Sequence, residues 1–189
     1  AISTIKYDED GQPKRAKYRI VVLGNLDQNL WSKQDTYAPV MSLIELRLMV
    51  TTSIYFKRIL KSGDFKQAFC QADLPPDEKY ILRPPHGCPE TPPNSYWLLK
   101  RSLYGLKRSA RHWFERATEI LQSIGLQPLD NAPCIFKGTI IDNKPPLYLG
   151  LYVDDFVYFS ECDDVEKKFQ SLLQTKTNVD FMGPVTHFL

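Results

Sequence analysis

The sequence has few of the residues that mark disulfide-rich or zinc-binding proteins. It holds four cysteines and three histidines among 189 residues, with no Cys-x-x-Cys pair and no histidine placed to complete a zinc site. The cysteines are widely spaced, at Cys70, Cys88, Cys134 and Cys162. This spacing favours free thiols in a reducing compartment over a disulfide framework.

Long hydrophobic runs are also missing. The apolar stretches fall well short of the roughly 20 residues that a membrane-spanning helix needs, and residues 1–17 lack the apolar core of a signal peptide. We therefore expect a cytoplasmic, intracellular protein that is neither secreted nor bound to a membrane. Its hydrophobic content of 43%, with 12% aromatic residues, is enough for a packed globular core.

The net charge is small. A value of +2 does not by itself indicate a nucleic-acid partner, but the distribution of charge is more informative. Residues 100–116 contain a single acidic side chain, Glu115, and a block of basic ones: Lys100, Arg101, Lys107, Arg108, Arg111 and Arg116. Such a block is typical of a nucleic-acid-binding surface, and a solvated helix face is the alternative.

Apolar periodicity predicts a mixture of strands and helices. The predicted strands cover residues 18–23, 58–65, 80–82, 96–99 and 134–136, a hairpin around residues 152–155, and a segment near Val179. Hairpin-length loops join many of these strands. They favour an α+β fold, with an antiparallel sheet backed by helices, over a doubly wound parallel sheet.

Three longer helices are predicted, and residues 67–72 are expected to form a helical turn. The first helix follows Ser42, which has capping-box spacing with Glu45, and its apolar face comprises Leu43, Leu46, Val50 and Ile54. The second begins at Ser109 and ends before Gly125, with an inward stripe of Ala110, Trp113, Ala117, Ile120, Leu121 and Ile124. The third spans about residues 164–175, with Val165, Phe169 and Leu172 inward.

Two adjacent aspartates stand between two apolar runs in the segment Tyr152-Val153-Asp154-Asp155. Successive side chains on a strand point to opposite faces, so both carboxylates can approach one metal ion only where the chain turns. A hairpin provides that turn. A solvated Asp-Asp turn is the alternative, because carboxylates favour turns in any hairpin.

Asp64 supplies a third carboxylate. It lies near the end of a predicted strand, and an antiparallel sheet would let that end meet the acidic hairpin. Hard oxygen ligands of this kind suit magnesium, and two such ions about 4 Å apart can activate a hydroxyl and stabilise a departing pyrophosphate. A helix cap at Asp64 and solvated turns at the other two aspartates remain open.

Several blocks resemble, in order and spacing, the reverse transcriptase of copia-type LTR retrotransposons. The three main blocks are residues 64–69 (Asp-Phe-Lys-Gln-Ala-Phe), 98–107 (Leu-Leu-Lys-Arg-Ser-Leu-Tyr-Gly-Leu-Lys) and 151–155 (Leu-Tyr-Val-Asp-Asp), and residues 17–24, 36–40 and 80–85 agree with them. The resemblance covers nearly the whole chain, and the Ser-Leu-Tyr-Gly-Leu-Lys block is highly specific.

The resemblance implies catalytic roles for Asp64, Asp154 and Asp155. These carboxylates, with the backbone carbonyl of Phe65, would hold two Mg²⁺ ions, with Mn²⁺ as a possible substitute. The reaction implied is RNA- and DNA-directed transfer of a dNTP to a primer 3'-hydroxyl. A magnesium-dependent nuclease or phosphotransferase using the same three acids is a rival, although it leaves residues 102–107 and Phe69 unexplained.

Further residues are implied to contact the substrates. The dNTP would meet Lys17, Arg19, Phe69 and Tyr104, and the template or primer would meet Tyr104, Gly105, Lys107, Arg108, Arg111 and Tyr152. Phe69 matches the aromatic ring that blocks a 2'-hydroxyl, with core packing as its alternative role. Arg19 is implied to grip the triphosphate, with a solvated edge charge as the alternative. Tyr37, Pro39 and Trp113 are interpreted as packing residues.

The fold implied is a four-stranded antiparallel palm sheet backed by helices, with a smaller fingers lobe. Residues 1–58 and 75–108 would belong mainly to the fingers, and residues 59–74 and 109–189 mainly to the palm. The first residue is not Met and residues 181–189 stop as a new apolar run begins, so we expect a piece of something longer: a polyprotein, an incomplete gene copy or a fragment cut for expression. The resemblance implies a Pol polyprotein. Its partners would be an RNA template, a DNA primer, dNTPs, and the thumb, RNase H and integrase domains.

Two residues depart from the family pattern. Leu23 occupies a position that is usually basic, and Ala110 stands where a proline usually precedes the Arg and Trp. Losing that proline should loosen a loop near the template. The second hypothesis is a catalytically inactive or co-opted remnant that binds nucleic acid without processive synthesis.

Overall fold

The computed structural model describes residues 2–7, 10–85, 92 and 94–186. The strands are β1 (Ile2–Tyr7), β2 (Pro13–Arg19), β3 (Lys61–Phe65), β4 (Ile81–Leu82), β5 (Trp97–Leu98), β6 (Leu126–Leu129), β7 (Ala132–Gly138), β8 (Leu147–Tyr152), β9 (Asp155–Ser160) and β10 (Val179–Pro184). The α-helices are α1 (Lys33–Thr36), α2 (Leu43–Tyr55), α3 (Ser109–Ser123) and α4 (Asp163–Lys176). None of the described helices is long and apolar enough to cross a membrane.

The central element is a six-stranded sheet in the order β10-β3-β9-β8-β7-β6, and every neighbouring pair is antiparallel. The predicted mixture of helices with an antiparallel sheet is therefore confirmed. The sheet has six strands rather than the four implied by the resemblance, with β10 at one edge and β6 at the other. The three cysteines in the described ranges, Cys70, Cys134 and Cys162, are free thiols, as predicted, and Cys88 lies outside those ranges.

Each face of the sheet has its own core. On one face α3 and α4 bury Trp113, Phe156 and Phe169. On the other face, Met41 and α2, through Met49, pack against a cluster that includes Val157. Side chains alternate between the faces along each strand, so Phe156 contacts one core while Val157 contacts the other. This alternation also decides which face carries the polar residues at the strand ends.

Helices α3 and α4 agree closely with their predicted bounds. The predicted stripe of α3 is buried from Trp113 to Ile124, with Ala110 partly exposed. Gly125 follows with φ +94°, a conformation that glycine adopts easily and that ends a helix. In α4, Val165 and Phe169 are fully buried, as predicted. Leu172, the third residue predicted to point inward, is only partly buried, and its neighbour Leu173 is fully buried instead.

Of the predicted inward face of α2, Leu46 packs partly buried against the core, and the prediction is wrong for the other three residues. The capping box of α2 is present, since the backbone N–H of Glu45 donates to Ser42 Oγ at 3.2 Å and that of Ser42 to Glu45 Oε2 at 2.6 Å. The sheet, however, takes Met49 and Ser53, while Leu43, Val50 and Ile54 are exposed. Apolar residues occupy most of the circumference of α2, so periodicity alone could not identify the side that packs.

The predicted strand at residues 18–23 is also wrong in its bounds. Strand β2 ends at Arg19 and pairs with β1. After β2 the chain crosses the segment that precedes α3, where the backbone N–H of Val22 donates to the carbonyl of Tyr104 at 2.8 Å. The predicted strand at residues 58–65 likewise begins later, at Lys61.

Candidate active site

The acidic turn lies between β8 and β9, as predicted. Tyr152 and Asp155 are register partners, so Val153 and Asp154 form a two-residue loop. Val153 has φ +55°, a left-handed conformation that is strained for a β-branched residue. Two hydrogen bonds hold the loop in place. Trp113 Nε1 donates to the carbonyl of Val153 at 2.6 Å, and the backbone N–H of Phe65 donates to that of Asp154 at 2.8 Å.

The predicted third carboxylate meets this turn. Asp64 on β3 is the register partner of Asp155 on β9. Directly opposed residues of an antiparallel pair point to the same face, with Cβ atoms about 4.5–5.5 Å apart. The structure therefore brings Asp64 and Asp155 side by side at the strand ends, with Asp154 in the adjoining turn. We refer to these three residues as the acidic site.

The charges of the acidic site act on one another. Burial raises the pKa of Asp155, and the negative charges of Asp154 and Asp64 raise it further. Removal from water and nearby like charges both disfavour the ionised form of a carboxyl group. Because these carboxylates repel one another, a positive charge placed among them would stabilise their ionised forms.

Replacing Asp155 with Asn is expected to stabilise the fold at neutral pH by about 0.5–1 kcal/mol. Because the pKa of Asp155 is raised on folding, its ionised form costs stability above that pKa, and the cost disappears as pH falls towards the ordinary value of 3.8. Urea unfolding in EDTA should therefore show a gain at pH 7.5 that shrinks towards pH 4. The exposed turn residue Asp142 provides the control, since Asp142→Asn makes the same chemical change outside the acidic site.

Three side chains form a chain of contacts from the short helix at Ala68–Gln71 to β2. The rings of Phe69 and Tyr104 meet edge to face, with centroids 4.9 Å apart. The guanidinium carbon of Arg19 lies 5.8 Å from the centroid of the Tyr104 ring. Burial raises the pKa of Tyr104, and the charge of Asp154 raises it further, so this ring lies within electrostatic reach of the acidic site.

The predicted dNTP-binding residues are thus partly assembled. Phe69, Tyr104 and Arg19 are in sequential contact, and Lys17 shares a face of β2 with Arg19 because the two are separated by one residue. Phe69 is also partly buried against the core, so both of its predicted roles are compatible with its position. The assignment of these residues to a nucleotide stays a prediction.

Gly105 allows the close crossing of two chain segments. It has φ +93°, and a Cβ built on it would lie 2.0 Å from the carbonyl oxygen of Val22. A Cβ on Gly24 would in turn lie 2.0 Å from the carbonyl oxygen of Gly105. Only glycine fits at either position. The crossing holds Tyr104 beside the end of β2.

The basic residues that follow have partners within the chain. Lys107 Nζ donates to the carbonyl of Asp27 at 2.9 Å. Arg108 pairs with the buried carboxylate of Glu78 and lies over the ring of Trp31 at 4.7 Å. Arg111 pairs with Glu115 at 2.8 Å. These contacts use part of the charge of the block, and the template contacts of Lys107, Arg108 and Arg111 stay predictions, as does that of the half-buried Tyr152.

A sequence family described as reverse transcriptase (RNA-dependent DNA polymerase) matches residues 2–189. The chain belongs to this reverse transcriptase family. Its curated relatives include the retrovirus-related Pol polyprotein from transposon RE1 of Arabidopsis thaliana, 28% identical over 156 residues, which are 82% of this chain and 10% of that protein. The predicted family is confirmed.

Two further relatives extend the comparison of this reverse transcriptase domain. The Pol polyprotein from transposon TNT 1-94 of Nicotiana tabacum is 25% identical over 187 residues, which are 98% of this chain and 14% of that protein. The transposon Ty1-ER2 Gag-Pol polyprotein of Saccharomyces cerevisiae is 28% identical over 169 residues, which are 84% of this chain and 8% of that protein. The chain thus spans about a tenth of the length of these copia-type relatives. No solved structure matches it.

The donor set of the reverse transcriptase domain suits magnesium without forming a closed cage. Among the described residues, no group of three His, Cys, Asp or Glu side chains could hold a metal ion by itself. Magnesium usually takes only one or two carboxylates from a protein and completes its shell with waters and substrate phosphates. Burial and, after it, the charges of Asp154 and Asp64 raise the pKa of Asp155, so the oxygen atoms of this cluster would gain from such a cation.

Trp113 has a second role that its sequence context does not indicate. It packs in the core, as predicted, at 1% exposed and with its ring 5.1 Å from that of Phe65. Its indole N–H also holds the strained Val153 of the acidic turn. The sequence contains no signal for this contact, because it joins the first turns of α3 to a loop formed forty residues later in the chain.

Proposed function

We propose that this chain is the catalytic part of an RNA- and DNA-directed DNA polymerase that transfers dNTPs to a primer 3'-hydroxyl. The observation that carries the proposal is the register pair Asp64–Asp155 beside the turn residue Asp154. The backbone carbonyl of Asp154 is held by a hydrogen bond of 2.8 Å from the N–H of Phe65. Family membership supports the same reaction class.

In this proposal, Asp64 and Asp154 hold two Mg²⁺ ions, or Mn²⁺ in their place, with Asp155 and the carbonyl of Phe65 as further ligands. Ions bound there would supply activation of the primer hydroxyl and neutralisation of the charge on the leaving pyrophosphate. By holding such ions in place, the carboxylates would fix where the primer 3'-oxygen meets the α-phosphorus of the dNTP, which is an effect of orientation. Arg19 and Lys17 bind phosphate oxygens, and Arg19 can do so through two parallel hydrogen bonds.

Phe69 and Tyr104 position the nucleotide. A flat ring at Phe69 lies against the sugar and excludes a 2'-hydroxyl, while Tyr104 supports that ring from the side. Gly105, Lys107, Arg108, Arg111 and Tyr152 line the path of template and primer. Residues 1–58 and 75–108 then correspond mainly to fingers, and residues 59–74 and 109–189 mainly to palm. The thumb, RNase H and integrase of a cytoplasmic Pol polyprotein would be its partners.

Primer extension on an RNA template with Mg²⁺ tests the proposed function. The chain should be assayed alone and joined to the thumb of a relative, because it spans about a tenth of those proteins. Incorporation of dNTPs by either form supports the proposal. Tight template binding without extension from either form would instead favour an inactive remnant. Cleavage of the template without dNTPs would favour a nuclease.

Replacing Phe69 with Ala is expected to raise incorporation of rNTPs relative to dNTPs by about tenfold, a change of ~1.4 kcal/mol in relative barrier. The reason is loss of the ring that occupies the space of a 2'-hydroxyl. Competition between dCTP and CTP in single-nucleotide extension measures the ratio. Phe181→Ala removes a ring packed between Phe156 and Phe169 and serves as the control. Unchanged sugar selectivity in Phe69→Ala would remove Phe69 from the site.

A further inference from the structure

A fourth carboxylate lies beside the acidic site on a strand that the catalytic proposal does not use. Asp180 on β10 is the register partner of Asp64, on the side of β3 opposite to Asp155. Register partners share a face, so Asp155, Asp64 and Asp180 form a row across three strands. The packing agrees, because the next residue, Phe181, points to the other face and packs edge to face against Phe156 and Phe169.

A lysine accompanies this fourth carboxylate. Lys66 Nζ lies 2.6 Å from Asp180 Oδ1, and Lys66 follows Asp64 by two residues. The backbone N–H of Lys66 donates to the carbonyl of Asn178 at 2.9 Å. This bond ties the start of the lysine side chain to the segment that leads into β10, so the ion pair forms between two chain segments that are already held together.

The pair has little to contribute to folding. The side chains of Lys66 and Asp180 are 44% and 54% exposed, and exposed ion pairs stabilise a fold weakly because water screens them. Their charges nevertheless lie next to Asp64, where a divalent cation would be bound. Because the Coulomb energy scales with the product of the charges, a neighbouring unit charge changes the binding free energy of a divalent ion twice as much as that of a monovalent ion.

We propose that Lys66 and Asp180 together set how strongly the acidic site holds a divalent cation. Asp180 adds a negative charge at the edge of the site, and Lys66 cancels it, so that the cation is bound through Asp64 and the turn rather than drawn towards β10. The two residues are positioning residues and not metal ligands. This inference rests on the proposed function, since it concerns the same site.

Mn²⁺ binding to the chain without nucleotide or nucleic acid tests the inference, with free Mn²⁺ followed by electron paramagnetic resonance. Asp180→Asn leaves the charge of Lys66 uncompensated and is expected to weaken binding about threefold to tenfold. Lys66→Met leaves the charge of Asp180 uncompensated and is expected to tighten binding by a similar factor. The double variant should return to within about twofold of wild type, because both charges are then absent.

Controls separate a charge effect from damage to the fold. Circular dichroism and the unfolding temperature should match wild type in all three variants. Lys66→Arg keeps the charge and should keep the wild-type affinity. The Arg116–Glu119 pair on α3 has similar exposure, at 42% and 66%, so Glu119→Gln provides a matched loss of one exposed carboxylate and should leave Mn²⁺ binding unchanged.

Three results would overturn the inference: affinities that do not move, single variants that shift in the same direction, or wild-type protein that binds no Mn²⁺. The outcome is distinguishable from failure of the proposed function. Opposite shifts that cancel in the double variant, without primer extension by wild type, would sustain the inference and refute the polymerase. Primer extension by wild type, with Mn²⁺ affinities that are unchanged in the variants, would support the polymerase and refute the inference.

Discussion

Primer extension is expected to fall by about a thousandfold or more in Asp154→Asn, which corresponds to ~4 kcal/mol of lost transition-state stabilisation. The amide is close in size to the carboxylate but carries no negative charge, so it binds a divalent cation poorly. The fold should survive, because the contact that anchors this residue uses its backbone carbonyl, which accepts from the N–H of Phe65. Single-turnover extension with saturating dNTP measures the loss.

Asp130→Asn is the matched control for this variant. Asp130 lies in the exposed turn of the neighbouring β6–β7 hairpin, so the substitution makes the same chemical change in the same sheet. Its extension rate should equal that of wild type. If well-folded Asp154→Asn protein extended the primer at the wild-type rate, the catalytic role assigned to this turn would be refuted.

A second large effect is expected at Trp113, on stability and activity together. Trp113→Phe keeps an aromatic ring in the core but leaves the carbonyl of Val153 without the indole donor. A buried carbonyl that loses its donor costs about 1–3 kcal/mol. The carbonyl of Val153 is partly buried, and it belongs to a loop that is already strained at φ +55°. We expect the free energy of unfolding to drop by ~2 kcal/mol and extension to slow about tenfold at a temperature where the variant is folded.

Phe169→Leu distinguishes loss of packing from loss of the hydrogen bond. Phe169 is fully buried in the same core as Trp113, and its ring contacts are with Phe156, Tyr158 and Phe181 rather than with the turn. Phe169→Leu should lower the free energy of unfolding by a comparable amount and leave the extension rate unchanged. Equal loss of activity in both variants would show that Trp113 acts only through general stability.

Local pattern predicted the elements whose signals lie within a short stretch of chain. Helix α3 was predictable because its apolar residues form one narrow stripe and Gly125 ends it. The acidic hairpin was predictable because two apolar runs flank a two-residue turn. In both cases, neighbouring residues carry all the information that is needed.

Features that depend on distant segments were not predictable in the same way. The pairing of Asp180 with Asp64 follows from the order of strands in the sheet, which no periodicity encodes. The contact from Trp113 to Val153 depends on how α3 packs on that sheet. The buried side of α2 is decided by its neighbours, because exposed residues such as Ile44 are as apolar as the buried Met49.

The crossing at Gly24 and Gly105 limits how this domain can change shape. The Val22–Tyr104 hydrogen bond and the glycine contacts join the end of β2 to the segment before α3. A closing motion that carried Arg19 towards a bound nucleotide would therefore have to carry Tyr104 with it as one rigid unit. Any hinge must lie outside this crossing, since rotation within it would drive a backbone carbonyl into the space that a glycine hydrogen now fills.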